Sequence, residues 1–199
     1  MAFLQPFIVL FSAGDTLAVE KELRTVDQEY VEARVIEALD DLYLALLLWK
    51  EGRTRNAAGK AFSAVKALMS ALIIVNREGL AKLAKNKEEE EWIRKKAHTV
   101  PTHSMYELAQ RLRDLGVDLT FLAKTALTLH QYQYNGFEPG FSIYRTKDGV
   151  LRDLIDVVKG TKEAVDKYFP QYALKEIEGK IEALLGELSG NRARQGDRH

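Results

Sequence analysis

The sequence has no cysteine, only four prolines and no excess of charge of either sign. Without cysteine there are no disulfides, no cysteine-ligated metal centres and no thiol nucleophile, and the chain fits a cytoplasmic setting. Its 29 basic and 29 acidic residues cancel. Phosphate neutralisation normally leaves an excess of Lys and Arg, so nucleic-acid contact here has to rest on a local basic patch. Many charges, no cysteine and few methionines also suit a thermophile. There is no glycine-rich phosphate loop, no internal repeat and no β-strand pattern. The apolar stretch at residues 3–11 is too short to span a bilayer, and it lacks the positive start and cleavage site of a signal peptide. No membrane role is expected.

What is present is helical periodicity. Val35, Ile36, Leu39, Leu42, Tyr43, Leu46 and Leu47 step by three and four and define one face of a long helix starting near Val26. Residues 42–49 are apolar nearly all round, which suits either the centre of the monomer core or contact with a second subunit. Gly52 is placed to stop this helix and Thr54 to cap the next. Ala58, Ala61, Phe62, Val65, Leu68, Met69, Leu72 and Ile73 give the second helix its face. That helix is rich in small residues, which let helix axes approach closely. Gly59 in mid-helix costs about 1 kcal/mol relative to Ala, and a close crossing would account for it.

Residues 85–96 are a charge run anchored by Trp92 and Ile93, read as a solvated short helix. Pro101 biases Val100 to an extended conformation. Ser104 and Glu107 have capping-box spacing, so a helix should follow, ended by Gly116. Asp118 or Thr120 opens the next, with Leu119, Leu122, Ala123, Ala126, Leu127 and His130 on one side, and Asn135-Gly136 turns the chain. Phe141, Ile143 and Tyr144 are expected to anchor the following loop. Lys147 or Asp148 opens a helix that Gly160 bends and Pro170 stops. A last amphipathic helix covers residues 172–188.

The segment 51–68 resembles the second helix of the HEPN superfamily (higher eukaryotes and prokaryotes nucleotide-binding). It is most similar to an archaeal branch of expanded, repeated genes in thermophiles. Ala57, Ala58, Lys60 and Phe62 stand at that branch's small-small-lysine-aromatic positions, and Gly59 departs from its more usual glutamate. Leu129-His130 followed by Tyr134 matches a second family feature. Gln131, Tyr132 and Gln133 replace the asparagine and phenylalanine common between them. In helix order the resemblance covers residues 26–169.

The resemblance implies an all-α, up-and-down bundle of about five main helices. The expected organisation is an apolar arm at residues 1–14, one HEPN-like domain at 15–188 and a polar disordered tail at 189–199. It also implies a homodimer through helix faces, and a nucleotide, an RNA or a nucleotidyltransferase as partner. Many HEPN domains are metal-independent ribonucleases that place four to six residues between an arginine and a following histidine. Arginine there stabilises the phosphate and histidine moves a proton. Arg94 to His98 and Arg94 to His103 both miss that spacing, so no catalytic residue is assigned and the chain leans away from enzyme function.

Three functional readings follow. The first is a non-catalytic module that binds a nucleotide, RNA or protein partner. Its ligand-binding candidates are Asn56, Lys60, His130, Tyr134, His103 and Arg94: the lysine and asparagine for phosphate, the histidine and tyrosine, one turn apart, for stacking a base. His130 is otherwise a hydrogen-bonded core residue, Tyr134 a core-edge residue, and Lys60 and Lys66, which share that arm, are solvated. The second reading is a divergent ribonuclease using His130 or His103 with Arg94 or Arg111. The third is a dimeric scaffold without ligand. His98, His103 and His130 are imidazoles that zinc or nickel would accept, but no His-x3-His pair lies on a helix, and no metal or cofactor is expected.

Overall fold

The computed structural model describes residues 25–196, with side-chain surroundings for residues 27–190. The N-terminal arm lies outside the described residues. Among the described residues eight α-helices follow one another: α1 (Thr25–Lys50), α2 (Thr54–Val75), α3 (Arg77–Lys82), α4 (Lys87–Lys95), α5 (Met105–Asp114), α6 (Thr120–Asn135), α7 (Lys147–Tyr168) and α8 (Lys175–Gly196). Five of them, α1, α2, α6, α7 and α8, have 16 residues or more. The chain is an all-α bundle, and among the described residues there is no strand.

The bundle is built around α2, in which fifteen residues from Ala57 to Ile74 are buried. It pairs most extensively with α1, and α6 and α7 pack on its other sides. Helix α8 lies against α1. Among the described residues, α2 alone is long and apolar enough to cross a membrane, and 78% of its apolar window is buried in the bundle. Its composition is therefore that of a central core helix. Small side chains at Ala57, Ala58, Ala61, Ala64 and Ala67 let neighbours approach it from several sides.

The α1–α2 hairpin forms as the periodicity predicts. Val31, Val35, Ala38, Leu39, Leu42, Ala45 and Leu46 are buried along α1. Of the all-apolar run, Leu42, Ala45 and Leu46 go fully inside, Leu47 and Leu48 are partly covered and Leu44 remains 39% exposed. Gly52 turns the chain at φ +80°, a conformation that glycine adopts without a steric penalty. The cap is different from the expected one. Arg53 occupies the N-cap position with no side-chain cap, and Thr54 Oγ1 shares a 2.8 Å hydrogen bond with Tyr132 Oη of α6 instead.

Other local expectations are corrected by tertiary forces. Val100 is not extended: it is left-handed, at φ +47° and ψ +66°. Its side chain is fully buried and its N–H donates to Ala97 O at 3.0 Å, so packing overrides the bias from Pro101. Ser104 makes no cap hydrogen bond because a 3-10 turn (Thr102–Ser104) runs straight into α5. Side-chain caps form at Asn86, which accepts from Glu89 N at 2.8 Å, and at Thr146, which accepts from Gly149 N at 3.2 Å. Helix α7 runs unbroken through Gly160, and α8 continues past Leu188 to Gly196, into the stretch read as tail.

A candidate binding face between helices α2 and α6

Arg55, Gly59, Phe62 and Lys66 recur at spacings of four, three and four, so they line one side of α2. The last two turns of α6 lie against that side. A Cβ built on Gly59 would stand 2.7 Å from the Gln133 carboxamide carbon, so the glycine is where α6 presses a side chain onto α2. The cost of a mid-helix glycine is thereby offset by a close crossing.

One turn further along, the His130 ring stacks on Phe62, with centroids 4.0 Å apart and planes 21° apart. Tyr134 meets His130 edge-on, at 5.0 Å and 86°. Lys66 Nζ stands 5.6 Å over the Phe62 ring. Phe62 is buried, His130 is half-buried with its Nδ1 covered and without a hydrogen-bond partner, and Tyr134 is 65% exposed. Core and solvent are therefore joined by a stack of three rings whose outermost member faces water.

Arg55 closes the end of this face. Its Nε donates to Gln133 O at 2.7 Å and its Nη2 donates to Tyr134 O. Those carbonyls belong to the last turn of α6, which has no intrahelical donors for them, and a cation there also meets the negative end of the helix dipole. The guanidinium is thus held by backbone, and among the described residues it has no carboxylate partner.

The six candidate residues separate. His130 and Tyr134 come together as expected, and neither is enclosed in the core. Lys60 is two residues from Phe62 and therefore on a different side of α2. Its Nζ donates to the buried Asp41 of α1 at 2.7 Å, which ties the hairpin together rather than serving the ring stack. Asn56 is exposed one turn before Lys60. His103 is exposed in its 3-10 turn. Arg94 is committed to a structural network: Nη1 donates to both Glu78 carboxylate oxygens at 2.7 Å, and Nε to Glu90 at 3.0 Å. These bonds hold its pKa above the usual arginine value. Arg111 is likewise held by Glu89 and by Glu107 at 2.9 Å. Within the charge run at residues 85–96, Arg94 ties α4 to α3 and Glu89 ties it to α5, while Lys85, Lys87, Glu88, Glu91, Lys95 and Lys96 are exposed.

His98 lies elsewhere, edge-on to Tyr30 with centroids 5.6 Å apart. Burial, helped by the charge of Arg77 and opposed by that of Asp27, holds its pKa below the ordinary histidine value. Among the described residues no three His, Asp or Glu side chains stand close enough to hold a metal ion.

Sequence reasoning missed Arg55 and Gln133. The signal for Arg55 was its place four residues before Gly59 on the face that carries Phe62. Gln133 had no local signal, since its partner is Gly59 of another helix.

Residues 33–155, well over half of the 199, match the Archaeal PaREP1/PaREP8 family. The chain belongs to that family. The matched region runs from α1 into α7 and contains every residue of the face between α2 and α6. No curated protein and no solved structure matches the chain.

Proposed function

We infer that this family member is a non-catalytic, HEPN-like helical domain that binds a nucleotide or RNA at the face between α2 and α6. The observation that carries the reading is the exposed Tyr134 ring, backed by His130 stacked on Phe62. Such a stack offers a rigid platform for a base, and the neighbouring Lys66 and Arg55 offer cations for phosphate. The broader HEPN assignment rests on the small-residue helix with Lys60 and Phe62 and on the Leu129-His130 pair with Tyr134. A cytoplasmic setting agrees with the lack of cysteine, and a thermophilic one with the ion-pair networks of Arg94 and Arg111.

Against a ribonuclease stand the carboxylate partners that already engage Arg94 and Arg111. A second reading, a homodimer or nucleotidyltransferase complex through α1, is favoured by exposed Leu44 beside half-covered Leu48. Sedimentation of wild type and Leu44→Asp tests it: a dimer that the charge dissociates supports it, and a monomer in both removes it.

The ligand reading is tested by thermal unfolding against a panel of nucleotides and short RNAs, since a ligand that binds the native state raises the melting temperature. A shift with one ligand class that vanishes in Tyr134→Ala supports the site. Absence of any shift, or a shift unchanged in that variant, overturns it.

A further inference from the structure

Four large side chains cluster in sequence at the exit of α6 and remain in water: Tyr134 at 65% exposure, Phe137 at 37%, Phe141 at 74% and Ile143 at 64%. The expectation that Phe141 and Ile143 anchor the loop is overturned. Exposure alternates along it, with Ser142 and Tyr144 buried and their neighbours outward. The inward residues fix the loop. Tyr144 Oη donates to Asp153 of α7, Tyr144 N donates to Ser142 Oγ at 3.2 Å, and the Tyr144 ring packs edge-on to Tyr132 at 5.6 Å. Burial and the Asp153 carboxylate both raise the Tyr144 pKa, so this hydroxyl stays a donor. The outward rings are therefore held on a pinned loop.

The cations nearby are also held by backbone. Arg145 Nη1 donates to Ser142 O at 3.2 Å and to Pro139 O at 3.4 Å, which clasps the loop, and Arg55 grips the end of α6. Among the described residues neither guanidinium has a carboxylate partner. Acids at this rim are engaged elsewhere: Glu51 with Arg53, Asp148 with Arg152 and Asp153 with Tyr144. Glu138 is the exposed acid within the loop. Outward rings interleaved with cations that lack counter-charges form a surface complementary to a polyanion with stackable bases.

We propose that the ligand is a single-stranded nucleic acid several nucleotides long, which runs from the Tyr134 platform onto Phe137 and Phe141 of the loop with its phosphates toward Arg55 and Arg145. This rests on the base-binding reading of the Tyr134 stack and adds the length and path of the strand. A mononucleotide uses the first platform only, and a longer strand uses the loop as well.

The test uses the full chain and fluorescein-labelled oligouridylates and oligodeoxythymidylates of two, four and eight nucleotides, read by anisotropy at fixed low salt. The eight-nucleotide strand is expected to bind about ten-fold more tightly than the dinucleotide. Phe141→Ala, at a site exposed enough to leave folding intact, is expected to remove that gain and spare the dinucleotide, whereas Tyr134→Ala weakens both. A preference for either sugar supports the proposal and names the strand. Equal affinity at all lengths with Phe141→Ala silent sinks the loop path and leaves the base-binding site in place. No binding at any length sinks both. A change in sedimentation with Phe141→Ala, without a change in affinity, assigns the loop to a second copy of the chain and overturns the proposal.

Discussion

The two ends of the α1–α2 hairpin treat their polar groups in opposite ways. At the open end, charges and hydroxyls satisfy one another. Arg77 donates to Asp27 at 2.6 Å, the Tyr30 hydroxyl donates to Ser70 Oγ at 2.9 Å, and Ser70 donates to His98 O at 2.5 Å. At the turn end, Arg55 rests on carbonyls with its charge unpaired by any carboxylate among the described residues, Thr54 meets the Tyr132 hydroxyl, and rings are left facing water. The open end pairs its guanidinium with a carboxylate, whereas the turn end holds its guanidinium on backbone and leaves aromatic surface in water. A polar cluster by itself is therefore no guide to a binding face. What distinguishes one is an exposed ring beside a cation that no carboxylate neutralises.

The largest way to break this comparison is Tyr132→Ala. Tyr132 is buried, bonds Thr54 and packs on both Phe137 and Tyr144, so it supports the entire turn end. Its loss is expected to cost about 3–5 kcal/mol in chemical denaturation, as for other large core truncations. A loss below about 1 kcal/mol would show that the rings stand without it. At the open end, Asp27→Asn is expected to cost about 1–2 kcal/mol, because the ion pair with Arg77 is only partly buried. Ligand affinity at the turn end should stay unchanged in that variant, and a matching loss there would erase the distinction between the ends.

A smaller effect concerns acid. His98 has a folded-state pKa below its ordinary value near 6.5. Between the two values the unfolded chain takes up the proton and the native chain resists it. Its contribution is therefore fully present above about pH 6.5 and is lost as pH falls through the lower folded value. Melting temperatures measured from neutral to mildly acid pH should fall less steeply in His98→Phe than in wild type, and parallel curves would exclude His98 as the cause. The smallest expected effect is that of Gly59→Ala. The added methyl meets the flexible end of Gln133, while alanine gains about 1 kcal/mol of helix propensity. Net stability should move by less than about 1 kcal/mol, and a severe loss would mean that the crossing is rigid.

Much of the bundle was legible because it is local. Periodicity marked α1, α2, α6 and α7, and Gly52, Gly116 and Gly136 mark turns at positive φ. Errors arose where distant contacts overrule local bias. Val100 is left-handed because its side chain is buried, despite the proline that follows. Thr54 serves Tyr132 across the bundle instead of its own helix. At the candidate face, His130 and Tyr134 were legible as one turn of one helix. Lys60 was misplaced because a shared helix was taken for a shared face, and Arg55 was missed because its partners are backbone atoms of a remote helix end. Phe141 and Ile143 read as anchors because hydrophobicity alone does not say which way an alternating loop points.

The clamp of Arg55 on the end of α6 has a kinetic consequence. Gln133 is 78 residues away along the chain, whereas α1 and α2 meet through a turn of three residues. Closing the long segment carries a larger entropic cost than zipping the hairpin. The hairpin is thus expected to order before the ring stack and its guanidinium, which need α6 docked. A chain in which α6 has not docked is expected to lack the face, so binding there would report completion of the fold.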